Sequence, residues 1–174
     1  MPILMPSAYV ARITDITPLL LHKLDAAAVL LDVDNTLAED GSQEPFPGSI
    51  EWAKKISEDG FKLLIISNNC SSRVAPFAAL YGLPFCSMAM KPLPAAYLHA
   101  AHKLKVQREH TVVVGDQIFT DILGANLSGM KSVLVAPKSK EDSFSFRVRR
   151  RLERPIRRKL ELQSGIKTDH AEDD

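Results

Sequence analysis

Two aspartates separated by one residue, Asp32 and Asp34, open the polar stretch Asp32-Val33-Asp34-Asn35-Thr36 directly after the aliphatic run Ala28 to Leu31. Other aliphatic runs end the same way. Ser67-Asn68-Asn69 follows Lys62 to Ile66, Lys91-Pro92 lies beside Phe85 to Ala89, and Gly115-Asp116, with Asp121 beyond, follows Thr111 to Val114. Carboxylates brought to one place repel one another unless a hard cation is bound, and Mg2+, with oxygen ligands and retained waters, is the natural candidate. A lysine and a serine complete an anion site. This set suits phosphoryl transfer, where the protein supplies positioning and charge neutralisation. Asp32 is then the candidate nucleophile, able to form an aspartyl-phosphate. Asp34 is placed to protonate the leaving oxygen and later to deprotonate water. Ser67 and Lys91 are the candidate phosphate holders, with Thr36 and Asn68 beside them.

The runs that deliver these groups are nearly continuous in hydrophobicity, as a strand buried on both faces requires. With Ser132 to Val135 they make five core strands. Helical periods lie between them, over Gly48 to Asp59, Ser72 to Tyr81, Leu93 to Leu104 and Ile118 to Leu127. Alternating strands and helices predict an α/β fold, a three-layer, doubly wound parallel sheet. Ligand sites in such sheets lie beyond the carboxyl ends of the strands, which is where the polar groups fall.

In order and placement, the motifs at Asp32 to Thr36, Ser67, Lys91 and Gly115-Asp116 to Asp121 resemble motifs I to IV of the haloacid dehalogenase (HAD) superfamily, over roughly residues 26 to 137. The resemblance implies that Asp32 is the nucleophile and a metal ligand. It implies that Asp34 is the acid/base, with a backbone carbonyl on the metal, that Asp116 is the remaining metal ligand, and that Asp121 orders the metal's waters or Lys91. An acid at Asp34 favours phosphate-ester hydrolysis over dehalogenation. Asp116-Gln117-Ile118-Phe119-Thr120-Asp121, Ser67-Asn68-Asn69, Arg73-Val74 and Arg151-Leu152-Glu153-Arg154 are similar to the YqeG-type subgroup of class IIIA phosphatases, with similarity to about residue 160. That subgroup's relatives include phosphatidylglycerophosphate phosphatases, so the resemblance implies a Mg2+-dependent phosphomonoesterase acting on a phospholipid headgroup.

Spacing bears on the substrate. About 30 residues separate Thr36 from Ser67, and about 23 separate Ser67 from Lys91, each already spent on a helix and a strand. The fold is therefore expected to be capless, with no more than a small flap over Leu37 to Phe46. An open site admits phosphates on bulky carriers. Soluble sugar or nucleotide phosphates remain an alternative, with a lid from another subunit, and oligomeric state stays open. A receiver-like phospho-accepting signalling module is the alternative of another class, but its acidic pair would precede the phospho-acceptor and its lysine would come last.

The chain has 174 residues, 45% of them hydrophobic and 25% charged, which excludes collagen-like and wholly disordered readings. Net charge is +1, yet Arg147 to Leu160 holds eight basic residues against the single acid Glu153. Phe144, Val148, Leu152, Ile156 and Leu160 could form an apolar stripe among these arginines, suited to peripheral contact with an anionic membrane through Arg147 to Lys159. Pro155 is expected to kink or divide that helix. The alternative is a solvated helix docked on its own domain. No aromatic stacking platform accompanies the tail, so no nucleic acid is expected. The division is thus a domain over 1–137 and a basic helical extension with an acidic tail, Asp169 to Asp174, over 138–174. Cys70 and Cys86 suggest neither a disulfide framework nor a zinc site, and no segment reads as a leader or span, so a cytoplasmic setting is expected.

Overall fold

The computed structural model describes residues 2–137 and 144–165, with the side chains of all but 144–150. The acidic end Asp169 to Asp174 lies outside the described residues, as do the side chains of Phe144 and Val148. The strands are β1 (Ala8–Val10), β2 (Ala28–Leu31), β3 (Lys62–Ile66), β4 (Phe85–Cys86), β5 (Thr111–Gly115) and β6 (Lys131–Val135). They form one sheet in the order β1-β6-β5-β2-β3-β4, with every pairing parallel. The central β2 pairs on one side with β3 (Leu31 opposite Ile65) and on the other with β5 (Leu31 opposite Val114). The residues that follow these three strands therefore emerge side by side.

Both sheet faces are covered, which is why the central strands read as unbroken apolar runs. Val29, Leu31, Leu63, Ile65, Val112 and Val114 pack against α2 (Ser49–Glu58) and α3 (Ser71–Tyr81) through Trp52, Ile56, Val74 and Phe77. The alternate residues Leu30, Leu64, Ile66 and Val113 meet Tyr97 and Ala100 of α4 (Pro94–Leu104) and Ala125 of α5 (Leu123–Leu127). A short α1 (Pro18–Lys23) starts with Pro18 at its first turn and Thr17 capping Leu20 N–H at 3.2 Å.

The structure adds a sixth strand to the five expected. β1 has only three residues and carries no aliphatic run, so its strand character comes from pairing with the β6 edge. β4 is shorter than its run, because Met88 and Met90 take left-handed backbone (φ 49° and 52°) that ends the pairing. The flap is small. Ala38 bridges Asp34 and Pro45, and Phe46 N–H returns to the Leu37 carbonyl at 2.7 Å, so among the described residues no cap domain stands over the strand ends.

The basic segment forms a single helix, α6 (Phe144–Ser164), that runs through Pro155. Ile156 and Leu160 pack with Tyr9, Ile118, Ile122 and Leu134, so this part of the apolar stripe is turned onto the chain's own domain, whereas Leu152 is 60% exposed. No helix among the described residues is long and apolar enough to cross a membrane.

Candidate active site

At the end of β2, Asp32 is 4% exposed and its N–H donates to the Val114 carbonyl at 2.9 Å, which ties it to β5. Lys91, 8% exposed, reaches it from beyond β4. Its Nζ lies 2.5 Å from Asp32 Oδ1 and 2.7 Å from Asp121 Oδ1, so one ammonium joins two carboxylates contributed by different strand ends. Asn68 holds the lysine's backbone, accepting Lys91 N–H at 2.7 Å and donating to its carbonyl at 3.4 Å. The Asn68 side chain is thereby occupied in shaping the Lys91 loop at the cleft wall.

Asp34 points elsewhere. Its Oδ1 accepts from Arg73 at 2.5 Å and from Gly41 N–H of the flap at 3.2 Å, while Oδ2 accepts from Asn69 at 2.8 Å. Asn69 also donates to Ser67 Oγ from its amide (3.3 Å) and its N–H (3.2 Å), which links the ends of β2 and β3 through side chains. Asp32, Asp34, Asp40, Ser67, Asn68, Asn69, Arg73, Lys91, Gln117 and Thr120 line a single open cleft of about 260 Å³. Thr36 is not among the residues that line this cleft. Asn35 adopts φ 57°, a left-handed conformation that asparagine tolerates, and Thr36 N–H then turns back to the Val33 carbonyl. Thr36 consequently lines a separate cavity beside Arg12 and Val135, with its Oγ1 buried and unbonded among the described residues.

The fourth strand end carries Asp116 and Asp121, both fully buried. Between them the chain enters a π-helical segment, Ile118–Ile122, that continues into α5. Such wide turns are uncommon and recur at functional sites. Asp121 Oδ2 accepts Gln117 N–H at 3.1 Å and packs so tightly on β5 that a Cβ on Gly115 would sit 2.2 Å from its Cγ. A second glycine secures the same segment from behind. A Cβ on Gly124 would meet the Tyr97 ring at 2.3 Å, and the Tyr97 hydroxyl donates to the Thr120 carbonyl at 2.9 Å.

Carboxylate oxygens of Asp32, Asp116 and Asp121 all lie within 4.8 Å of one another. Burial pushes the Asp32 carboxyl well above its ordinary range, helped by Asp121 and Asp116 and opposed by Lys91. Burial alone would lower Lys91, but Asp121 and Asp32 together hold it above the usual lysine value. Three acids against one lysine leave an excess of negative charge in a dry site, and an all-oxygen donor set is what a hard divalent cation requires. The residues present therefore fit a divalent metal, which the carboxylates of Asp32, Asp116 and Asp121 could hold between them. The Asp34 carboxylate stands apart from this cluster, engaged with Arg73, Asn69 and the flap.

The cleft also contains groups that sequence reasoning did not place there. Arg73 was visible only as part of a subgroup motif. Its place in the first turn of α3, just past the Ser67 loop, is the signal that it faces the same strand ends. Asp40 arrives with the flap, where burial raises its carboxyl, Asp34 adds to the shift and Arg73 opposes it. Gln117 and Thr120 follow from the wide π turn, which no periodicity announces.

A HAD-hydrolase-like family profile matches residues 88–143, the stretch that carries Lys91, Asp116 and Asp121. "Probable phosphatase YqeG" of Bacillus subtilis is 36% identical over 162 residues, covering 93% of this chain and 94% of that protein. A glyceraldehyde 3-phosphate phosphatase of Methanopyrus kandleri is 29% identical over 145 residues, 74% of this chain, and the chain spans 61% of that protein's length. Among solved structures, NagD of E. coli superposes with a TM-score of 0.55 at 16% identity, over 66% of this chain and 90% of that one. The cobalt-bound deoxy-D-mannose-octulosonate 8-phosphate phosphatase of Haemophilus influenzae gives 0.52 at 16% identity, over 65% and 70%. These two likenesses show the fold, whereas the Bacillus relative matches over nearly its entire length. The chain belongs to the HAD hydrolases, among the YqeG-type phosphatases.

Proposed function

We propose that the protein is a Mg2+-dependent phosphomonoesterase that works through an aspartyl-phosphate on Asp32, with phosphatidylglycerophosphate as its substrate. The observation that carries the chemistry is the contact of Lys91 with both Asp32 and Asp121 beside Asp116, a buried charge cluster at the floor of an open cleft. With Lys91 on Oδ1, Asp32 Oδ2 is the oxygen that attacks phosphorus. As the new O–P bond forms, the ester P–O bond breaks, and Asp34 gives its proton to the leaving alkoxide. Water then attacks the aspartyl-phosphate and loses its proton to Asp34, which releases phosphate and restores the Asp32 carboxylate. Ser67 and the Lys91 ammonium hold the transferred oxygens, and Arg73 and Asn69 orient Asp34 in both steps. Mg2+ bound by Asp32, the Asp34 backbone and Asp116 would neutralise charge on the phosphoryl oxygens.

Two features support the lipid substrate. Among the described residues the cleft has a flap but no cap, which leaves room for a headgroup still held in a bilayer. The outer side of α6 exposes Arg151, Arg154, Arg158 and Lys159, together with Leu152, as a surface suited to anionic lipid. A second reading, a soluble three-carbon or sugar phosphate, draws on the relative that acts on glyceraldehyde 3-phosphate. Phosphate release from phosphatidylglycerophosphate in mixed micelles, compared with a panel of soluble monoesters and repeated in EDTA, separates them. Preference for the lipid supports the first reading. Turnover of soluble esters alone overturns it, and activity indifferent to chelation overturns the metal.

A further inference from the structure

The C-terminal helix does more than cover the edge of the sheet. Glu153 of α6 is 1% exposed, and its Oε1 accepts Ile118 N–H at 2.8 Å and Phe119 N–H at 3.4 Å. These are the first two amides of the π-helical segment, donors that have no acceptor within their own helix. Glu153 Oε2 accepts a two-pronged contact from Arg157, at 2.9 Å from Nε and 2.7 Å from Nη2. The same Nη2 also donates to the backbone carbonyl of Asp116. One buried acid–base pair therefore grips the peptide of Asp116 on one side and the amides leading to Asp121 on the other.

We infer that Glu153 and Arg157 are positioning residues of the phosphatase site, and that α6 sets the geometry of the carboxylates that would hold the metal. The inference rests on the metal reading proposed above. The pair is an unpromising device for stability alone. Buried ion pairs are often replaceable by apolar side chains without loss of folding, and here Arg157 Nη1 is buried with no acceptor among the described residues. What the pair supplies is direction. A planar fork fixed to a carboxylate places one N–H on one carbonyl, and neither lysine nor an apolar side chain reproduces that. Ile156 and Leu160, packed among Tyr9, Ile118, Ile122 and Leu134, hold the helix at the depth where the fork reaches Asp116.

The test measures Mn2+ affinity by electron paramagnetic resonance on the full chain, well below its melting temperature, together with kcat and KM for an aryl phosphate. The double variant Glu153→Leu/Arg157→Met replaces the pair by apolar side chains of similar volume, Arg157→Lys keeps the charge and loses the fork, and Leu21→Ala empties a fully buried core position in α1 that is outside the cluster holding α6. Loss of a supporting contact behind metal ligands typically weakens metal binding by about 10–100-fold. The double variant and Arg157→Lys should weaken Mn2+ by about that factor and lower kcat with little change in KM, while Leu21→Ala melts earlier but binds Mn2+ like the wild type. Wild-type Mn2+ affinity in both pair variants overturns the inference, as does an equal loss in Leu21→Ala. Should the double variant not fold, Arg157→Lys decides alone. A wild type that binds no Mn2+ removes the metal reading and this inference with it.

Discussion

Replacing Lys91 by methionine removes the one cation among the described residues that touches both Asp32 and Asp121, and the consequences can be worked out in advance. The lysine is 8% exposed and its Nζ makes contacts of 2.5 and 2.7 Å, so methionine keeps the stem and deletes the charge where carboxylate oxygens already lie within 4.8 Å of each other. Breaking a buried pair by removing one partner costs about 3–5 kcal/mol. At about 2–4 °C per kcal/mol for a chain of this size, melting in EDTA should fall by about 6–20 °C. Protonation limits the damage, because Asp32 is already displaced upward by burial and takes a proton more readily once Lys91 is gone. A divalent cation restores what the lysine supplied. Metal at about 100 times its Kd adds about 2.7 kcal/mol to any folded state that binds it, and Lys91→Met, with more negative charge in the site, should bind it more tightly than the wild type. The melting increment on adding Mg2+ should therefore be larger in the variant, while phosphatase turnover falls by about 100-fold or more for want of a phosphate contact. Scanning calorimetry in EDTA and in Mg2+ reads both effects. Lys103→Met, at an exposed lysine that donates to the Phe85 carbonyl, should stay within about 0.5 kcal/mol of wild type as a control. A Lys91→Met protein that melts like the wild type in EDTA, or gains less from Mg2+ than the wild type does, would refute the charge-cluster reasoning.

Asp32→Asn should lose at least about 1,000-fold in turnover without losing stability, because the substitution removes a carboxylate that burial and its acidic neighbours disfavour; melting curves and initial rates check both halves. Gly115→Ala places a methyl 2.2 Å from Asp121 Cγ and should cost about 1–3 kcal/mol by urea denaturation, since Asp121 must leave its contacts with Lys91 and Gln117. Tyr81, whose hydroxyl lies 2.7 Å from Ser49 Oγ, is pushed up to about 12 by burial. A raised value stabilises the fold fully below the ordinary tyrosine range near 10 and loses that contribution as pH rises through about 12. Alkaline unfolding should thus lose an increment in Tyr81→Phe over that window, and identical pH profiles would contradict the assignment.

Much of this arrangement could be read from the chain because chemistry and hydrophobicity are punctuated together. Asp32, Ser67, Lys91 and Asp116 each stand just past or beside an aliphatic run, and runs buried on both faces become adjacent parallel strands whose ends coincide. The relation of side chains beyond those ends is a tertiary fact. Asp34 shows a carboxylate in the sequence but not that Arg73 and Asn69 hold it away from Asp121. Thr36 lies two residues from Asp34, and the left-handed turn at Asn35 sends it to another cavity. β1 went unseen because three residues carry too little pattern, and it exists by pairing with β6. The tail's four-residue period announced a helix without saying which face was committed. Ile156 and Leu160 turn inward, Leu152 stays out, and Glu153 with Arg157, which looked like part of a charged surface, is buried against Asp116 and Ile118.

The central claim is that phosphate passes through Asp32, and trapping it there is the most direct test. Substrate labelled in its phosphoryl group would be mixed with the enzyme and Mg2+, quenched in acid within the first turnover, and the protein digested and mapped by mass spectrometry. Label on the peptide that carries Asp32, absent from Asp32→Asn, is the predicted result. Label on a different residue, or full turnover with no labelled protein at any quench time, would contradict the account.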